Sequence, residues 1–130
     1  GHIITSREVV VDTIDNIRHA LNHAISDEQA QAIILNGGTG VTPRDQTPEA
    51  IEPLFDKHLP GFGELFRHLS FSEIGAATIQ SRATAGMING TVVFSLPGST
   101  NACRLALDAI ILPQLDARTK PCSFSALLGL

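Results

Sequence analysis

Apolar side chains recur every three or four residues near the start of the chain, and this spacing predicts an amphipathic helix over residues 13 to about 26. Its inner face carries Ile14, Ile17, Leu21, Ala24 and Ile25. Continuous apolar runs flank this helix at residues 9 to 11 and 32 to 35. Such runs are typical of strands that are buried on both faces, as in parallel sheets, so the pattern predicts strand, helix and strand in succession.

Further elements are predicted downstream. A helix begins near Thr47, where a capping threonine precedes a proline suited to the first helical position. Another follows residues 60 and 61, with Phe62, Leu65, Phe66 and Leu69 at helical spacing. A buried strand over residues 92 to 96 ends at Pro97-Gly98, and a last helix over about 101 to 111 is closed by Pro113.

Alternating strands and helices predict one α/β domain over residues 1–130, with helices on both faces of a mostly parallel sheet. Only three strands can be recognised, whereas a doubly wound sheet usually has about five or six. A missing N-terminal strand would account for the difference.

Composition narrows the function classes. No apolar run approaches the roughly 20 residues that span a bilayer, and the first residues lack the layout of a signal peptide, so we expect a cytoplasmic protein without a membrane partner. The net charge is −4 and the basic residues are scattered, which argues against a nucleic-acid partner. A phosphorylated ligand would therefore need backbone amides, single arginines or a metal ion.

The main candidate site is the turn that follows the strand over residues 32 to 35, because open α/β sheets bind ligands at the carboxyl ends of their strands. The turn contains Gly37, Gly38, Thr39 and Gly40. Its glycines allow backbone amides to approach phosphate, although a turn of this kind is also required for structural reasons alone. It is neither a Walker loop nor a complete GxGxxG motif.

Polar residues near this turn have two interpretations each. Arg44 can pair with phosphate and Asp45 can hold a hard cation, or both can belong to a solvated loop. Asp12 can cap the first helix or reach the ligand crevice. Ser99 can contribute to an anion site at a helix start or simply cap that helix. Ser81 and the arginine after it can contact a ligand or form part of a polar surface.

Four separated motifs resemble one known family. They are GGTGVTPRDQTPEA, PGFGELFRHLSFSEIG, SRATAG and LPGSTNACRLALDAIILPQL, in that order. Together they are similar to the molybdopterin-binding domain shared by MoaB and MogA proteins and by the G domains of gephyrin-like proteins. The closing PQLDARTKPCSF resembles the B-type bacterial branch of this MoaB/MogA family.

The resemblance implies a Rossmann-like fold, a homotrimer or homohexamer, and a crevice that takes molybdopterin beside a nucleotide. In A-type members, AMP passes from ATP to the terminal phosphate of molybdopterin with Mg²⁺. The positions that match Asp12 and Asp45 are implied to be the catalytic and metal-binding carboxylates. The residues implied to bind nucleotide phosphate and pterin are Gly37, Gly38, Thr39, Gly40, Arg44, Ser81, Pro97, Gly98 and Ser99.

Two functions remain open at this point. One is a molybdopterin adenylyltransferase that uses both carboxylates. The other is a non-catalytic molybdopterin or nucleotide carrier, which is suggested by the B-type ending and by Asn36, where the family usually has threonine.

Overall fold

The fold is an α/β arrangement around one four-stranded sheet, as seen in a computed structural model that describes residues 1–27 and 29–130. The strands are β1 (Ala32–Asn36), β2 (Lys57–His58), β3 (Thr84–Ile88) and β4 (Thr91–Leu96). The α-helices are α1 (Ile14–Ser26), α2 (Thr47–Ile51), α3 (Pro60–Ile74), α4 (Thr100–Ala106), α5 (Leu112–Leu115) and α6 (Ser125–Leu128). Short 3-10 helices follow α2 (Glu52–Leu54) and α3 (Gly75–Gln80), and a π-helical turn (Leu107–Ile111) joins α4 to α5.

The strand order is β1-β4-β3-β2, and the sheet is mixed. β1 runs parallel to β4 in a register that pairs Ala32 with Val92 and Asn36 with Leu96. The other two pairings are antiparallel. The predicted α/β class is therefore confirmed, but the sheet is mixed rather than mostly parallel, because within the described residues only the β1–β4 pair is parallel.

A tight turn connects β3 to β4. Asn89 and Gly90 occupy it with φ values of +48° and +80°. Positive φ at two successive residues is what a two-residue hairpin loop of type I′ requires, and Asn-Gly is the dipeptide that adopts it at least cost. This turn brings the start of β3 to the same edge of the sheet as the end of β4.

Helices cover both faces of the sheet and create two apolar cores. One core lies under α1 and α2 and includes Ile17, Leu21, Ala50, Ile51, Phe55, Ile88 and Val93. The other lies under α3 and the C-terminal helices and includes Phe62, Phe66, Val92, Phe94, Leu96, Ile110, Ile111 and Leu115. β4 is one of the two inner strands, every one of its residues is buried, and its side chains alternate between the two cores. The predicted three-layer arrangement is confirmed.

The helix predicted from residue 13 is confirmed as α1, but the expected cap by Asp12 is wrong. The N-cap is Thr13, whose hydroxyl accepts a hydrogen bond of 3.2 Å from the amide of Asn16. Asp12 is exposed one residue earlier. A threonine at this position satisfies one of the free amides of the first turn, a contribution of about 1 kcal/mol.

The strand predicted over residues 9 to 11 is wrong. This segment has no strand pairing, and the side chains of Val9 and Val11 are 100% and 69% exposed. A β-branched run favours an extended backbone, but a strand also needs a neighbour for its hydrogen bonds, and none of the described strands lies beside it.

Two expected helix boundaries also differ. Thr47 does not cap α2, because it is the first helical residue and its hydroxyl donates to the carbonyl of Gly37 instead. Pro113 does not close the last helix, which continues through the π-helical turn to Leu115. In that turn the amide of Leu112 donates to the carbonyl five residues back, and this wider pairing lets the helical chain pass the proline ring.

β3 was not predicted because its sequence has a glycine at its centre. A Cβ on Gly86 would stand 2.3 Å from the ring of Phe55, so the glycine is required for that ring to pack against the sheet.

Among the described residues, no helix is both long and apolar enough to cross a membrane.

Candidate functional site

Two strand-to-helix turns lie side by side at one edge of the sheet. Because β1 and β4 are parallel, their carboxyl ends meet there, and the amide of Gly37 donates to the carbonyl of Leu96 at 2.8 Å. A Cβ on Gly98 would lie 3.6 Å from the Cα of Gly37. The glycine-rich turn after β1 and the Pro97–Ser99 turn after β4 are therefore in contact at the carboxyl ends of the parallel strands, the place where open α/β sheets bind their ligands.

The glycine-rich turn is fixed against the start of α2. Gly37 and Gly38 have φ values of +99° and +72°, a region that other residues rarely adopt. The Thr47 hydroxyl donates to the carbonyl of Gly37 at 3.1 Å, and the Thr47 amide donates to the carbonyl of Gly38 at 3.1 Å. A Cβ on Gly38 would stand 2.2 Å from that hydroxyl. The glycines are thus needed for the turn conformation and for close contact with α2.

Asp45 closes the loop that follows the turn. Its Oδ2 accepts hydrogen bonds from the amide of Thr42 at 2.9 Å and from the hydroxyl of Thr42 at 2.7 Å. The same carboxylate lies against Gly40, where an added Cβ would be 2.7 Å from Oδ2. The Thr42 hydroxyl, followed by its amide, lowers the pKa of Asp45 below the usual value for an aspartate. Asp45 is therefore ionised at neutral pH and held next to the glycine-rich turn.

The Arg82 side chain forms hydrogen bonds to the backbone at both ends of this loop. Its Nε donates to the carbonyl of Gly40 at 2.8 Å, and its Nη2 donates to the carbonyl of Asp45 at 2.9 Å. Its backbone amide donates to the carbonyl of Thr39 at 2.9 Å. The guanidinium also forms an ion pair with Glu49 on α2, and this contact lowers the pKa of Glu49. Arg82 thus contacts both ends of the loop and the helix that follows it.

The second turn is held by Cys103 on α4. The Cys103 thiol donates to the carbonyl of Pro97 at 3.2 Å, and its Sγ accepts a hydrogen bond of 3.0 Å from the side-chain amide of Asn36. Ser99 caps α4 by accepting from the amide of Ala102 at 3.2 Å. The end of β1 and the turn after β4 are consequently joined through one thiol.

The comparisons with known proteins agree on one family. The sequence profile described as "Probable molybdopterin binding domain" matches residues 1–117. The chain belongs to this family. The molybdenum cofactor biosynthesis protein B of Escherichia coli (strain K12) is similar to it, with 51% identity over 124 residues that cover 95% of this chain and 73% of that protein. The Bacillus subtilis (strain 168) protein of the same name is 53% identical over 116 residues, 88% of this chain and 68% of its own.

Solved structures in the molybdopterin-binding domain family are similar as well. A crystal structure of molybdenum cofactor biosynthesis protein B superposes with a TM-score of 0.82 at 47% identity, covering 85% of this chain and 70% of that one. The tungsten cofactor synthesizing protein MoaB from Pyrococcus furiosus has a TM-score of 0.72 at 48% identity, covering 78% and 64%. The resemblance to the MoaB and MogA proteins and the fold it implied are thereby confirmed.

The residues that the resemblance implied for the ligand site are brought together in part. The glycine-rich turn contacts the turn after β4, and Asp45 lies against Gly40. Ser81 directly precedes the arginine that holds the loop, but its Oγ accepts a 3.4 Å hydrogen bond from the amide of Ala83. Arg44 is exposed, and Asp12 is exposed before α1 without a recorded contact to Asp45. The ligand roles of all these residues stay predictions.

Sequence reasoning missed three contributors to the site: Arg82, Glu49 and Cys103. The arginine was considered as a ligand contact or as part of a polar surface, not as a support for the loop, and Glu49 was assigned to the first turn of a helix. Glu49 and Arg82 are 33 positions apart in the chain, so local spacing carries no sign of their ion pair. The one signal at Arg82 was its position beside Ser81, ahead of a short apolar stretch.

The side chains present fit a magnesium ion that arrives with a phosphate ligand. In the described part of the chain, no group of three or more His, Cys, Asp and Glu residues is arranged to hold a metal. Asp45 offers one ionised carboxylate, whose Oδ2 accepts hydrogen bonds from Thr42. Mg²⁺ usually keeps several waters and binds through one or two carboxylates together with substrate phosphates. A single loop carboxylate beside an amide-rich turn matches that pattern.

A cavity of about 670 Å³ lies on the opposite side of Arg82 and Glu49 from the loop. Its walls come from α2, the start of α3 and the start of β3, and they include Glu52, His58 and Arg67. Arg67 is already engaged there, because its Nη1 donates to the carbonyls of Ser81 and Ala83. The ion pair of Arg82 and Glu49 thus separates this cavity from the loop.

Proposed function

We propose that this chain acts in molybdenum cofactor biosynthesis by binding molybdopterin and Mg-ATP in the crevice and transferring AMP to molybdopterin. The observation that carries the proposal is the ionised carboxylate of Asp45, fixed by Thr42 against Gly40 at the carboxyl end of β1. The relatives named above, which are cofactor biosynthesis proteins by name, support the assignment of the pathway.

The proposed reaction is a nucleotidyl transfer. An oxygen of the terminal phosphate of molybdopterin attacks the α-phosphorus of ATP and forms a new P–O bond. The bond between that phosphorus and the oxygen bridging to the β-phosphate breaks, and pyrophosphate leaves with the electron pair. No strong base is required, because a phosphate nucleophile is already ionised near neutral pH.

The protein's part in this reaction is positioning and charge neutralisation, which supply most of the acceleration in phosphoryl-type transfer. Magnesium, when bound, would neutralise phosphate charge. Asp45 would hold the ion, and Asp12 would be the second carboxylate if it reaches the crevice. Amides of Gly37 to Gly40 would bind nucleotide phosphate, while Pro97, Gly98 and Ser99 would line the pterin side with Ser81.

A non-catalytic carrier is the second candidate, and one contact favours it. The side-chain amide of Asn36 donates one of its two N–H groups to Cys103, which orients it toward α4 and leaves a single N–H for a phosphate. A family member with threonine at this place would carry a hydroxyl there instead. A carrier would bind molybdopterin saturably and release no pyrophosphate.

Pyrophosphate release in the presence of molybdopterin, ATP and Mg²⁺ tests the two candidates. We expect the wild-type protein to release pyrophosphate and the Asp45→Ala variant to lose this activity. Asp116→Ala is the matched control, because Asp116 is also an aspartate whose pKa is lowered, to about 2, but by Arg118 outside the crevice. Activity retained in Asp45→Ala refutes the catalytic role of that residue. Tight molybdopterin binding without any release supports the carrier.

We also propose a cytoplasmic homotrimer or homohexamer without a nucleic-acid or membrane partner. Large apolar side chains at the end of α3 and after it support self-association, since Phe71, Ile74 and Ile79 are 60%, 54% and 80% exposed. Light scattering during gel filtration would measure the mass. A wild-type monomer at micromolar concentration would contradict the proposed assembly.

A further inference from the structure

All three guanidinium nitrogens of Arg82 contact the protein itself, and four of the five N–H groups are engaged. Nε and Nη2 donate to the carbonyls of Gly40 and Asp45, and Nη1 and Nη2 face the carboxylate of Glu49. The two carbonyls mark the two ends of one loop, residues 40 to 45. The donors of a guanidinium lie in one plane at fixed separations, so both carbonyls must take positions that match this geometry. The distance between the loop ends is thereby set by one side chain.

The contacts of Arg82 also determine which way the loop amides point. In a trans peptide the carbonyl and the following amide point in opposite directions. The peptide bonds here are trans, since the cis bond that the structure records lies at Lys120-Pro121. The carbonyls of Gly40 and Asp45 face Arg82, so the amides of Val41 and Gln46 point away from it. Arg82 therefore fixes the direction in which these two loop donors point, away from its own guanidinium.

The loop carboxylate is placed by the same contacts. The backbone amide of Arg82 holds the carbonyl of Thr39, which directs the amide of Gly40 away from Arg82. The Asp45 carboxylate packs directly against Gly40, where an added Cβ would stand 2.7 Å from Oδ2. Glu49 completes the arrangement, because it balances the charge of Arg82 and ties the guanidinium to α2.

We propose that Arg82, held by Glu49, is a positioning residue that sets the conformation of loop 39–46 and presents its amides and the Asp45 carboxylate to an anionic ligand. Arg82 itself does not touch the ligand. The identity of that ligand, a magnesium-bound nucleotide phosphate, rests on the proposed function. The claim that Arg82 sets the loop conformation does not depend on it.

The test compares Arg82→Lys and Glu49→Gln with Arg18→Lys. Lysine keeps the charge of Arg82 but lacks the planar fork, and glutamine keeps an acceptor oxygen without the charge. Arg18 is the matched control because it also donates to two carbonyls, those of Ala50 at 2.8 Å and Glu49 at 3.3 Å, yet both lie beyond the loop. The two arginine variants lose the same kind of contact.

Two measurements are made on each folded protein. Amide hydrogen exchange without ligand reports the loop, and calorimetric titration with Mg-ATP and with inorganic pyrophosphate reports anion binding. We expect exchange at residues 39–46 to accelerate in Arg82→Lys and, less strongly, in Glu49→Gln, with no change there in Arg18→Lys. We expect Mg-ATP to bind about tenfold more weakly to Arg82→Lys. This factor corresponds to the loss of one hydrogen bond from a displaced loop amide to a charged phosphate oxygen.

A kinetic split adds a readout that a general loss of stability would not produce. In a turnover assay, the KM for ATP should be higher in Arg82→Lys than in the wild-type protein, while the KM for molybdopterin should be unchanged. Unchanged loop exchange in Arg82→Lys, or equal effects in Arg18→Lys, overturns the inference. If the wild-type protein binds neither Mg-ATP nor pyrophosphate, the proposed function fails, and the exchange measurement alone then decides whether Arg82 sets the loop.

Discussion

Replacement of Gly38 by alanine should destabilise the protein more than the same replacement at Gly37. Both glycines have positive φ, +72° and +99°, so each variant carries a backbone strain of about 1 to 2 kcal/mol. A Cβ at Gly37 would meet nothing within 4 Å, whereas one at Gly38 would stand 2.2 Å from the Thr47 hydroxyl. Only Gly38→Ala therefore adds a steric cost, and overpacking of this kind amounts to about 1 to 3 kcal/mol.

The steric cost cannot be relieved freely. The Thr47 side chain is buried, at 4% exposure, and its hydroxyl donates to the carbonyl of Gly37. Moving it away from a new methyl group breaks that hydrogen bond, which contributes about 1 kcal/mol. We expect the free energy of unfolding of Gly38→Ala to be about 1 to 3 kcal/mol below that of Gly37→Ala.

Urea denaturation at 25 °C measures these differences directly. The variants are Gly37→Ala, Gly38→Ala, Thr47→Ala and the combination of Thr47→Ala with each glycine replacement. Because Thr47→Ala removes the hydroxyl that the new methyl group would meet, the extra cost at Gly38 should largely disappear in that background. Equal stability of the two single glycine variants would refute the steric argument. So would an extra cost that persists without the threonine hydroxyl.

Three further predictions concern the surroundings of the site. Gly86→Ala should lower the free energy of unfolding by about 1 to 3 kcal/mol, because its methyl group would enter the ring of Phe55, and Phe55→Leu should recover part of this loss in a denaturation series. Ser95→Ala should be neutral or stabilising by up to about 1 kcal/mol, because the buried Ser95 hydroxyl has no hydrogen-bond partner within the described residues; a clear loss in thermal unfolding would contradict this. The pKa of Asp45 is lowered mainly by the Thr42 hydroxyl, so its stabilising contribution should be complete above the ordinary value of 3.8 and lost as the pH falls through the lower folded value. Thr42→Val should raise that pKa in an NMR titration, and an unchanged titration would show that the hydroxyl is not the cause.

The parts of the fold that local rules determine were predictable. The spacing of Ile17 and Leu21 gave α1, and the apolar run before Gly37 gave β1 and the turn that follows it. Each of these signals is contained within a few neighbouring residues. The α/β class followed because it depends on the order of such elements rather than on their exact contacts.

The parts that depend on distant partners were not predictable. The run over residues 9 to 11 has the composition of a strand, but pairing decides whether it becomes one. β3 has a weak local pattern and forms because the Asn89–Gly90 turn folds it onto β4. Arg82 contacts residues 33 to 42 positions away, so its role becomes visible only when the loop and α2 are in place.

The register of the β3–β4 hairpin sets the distance between two parts of the proposed ligand site. Arg82 lies just before its first strand and Gly98 just after its second, while the turn that aligns them is at the far end of the sheet. The six residues of β4 separate the Asn89–Gly90 turn from the Pro97–Ser99 turn, a length of roughly 20 Å. A one-residue slip at Asn89–Gly90 would shift Arg82 relative to the Pro97–Ser99 turn by about 3.4 Å and reverse the facing of every β3 side chain. The conformation of two turn residues at the far end of the sheet thus determines the distance between Arg82 and the Pro97–Ser99 turn.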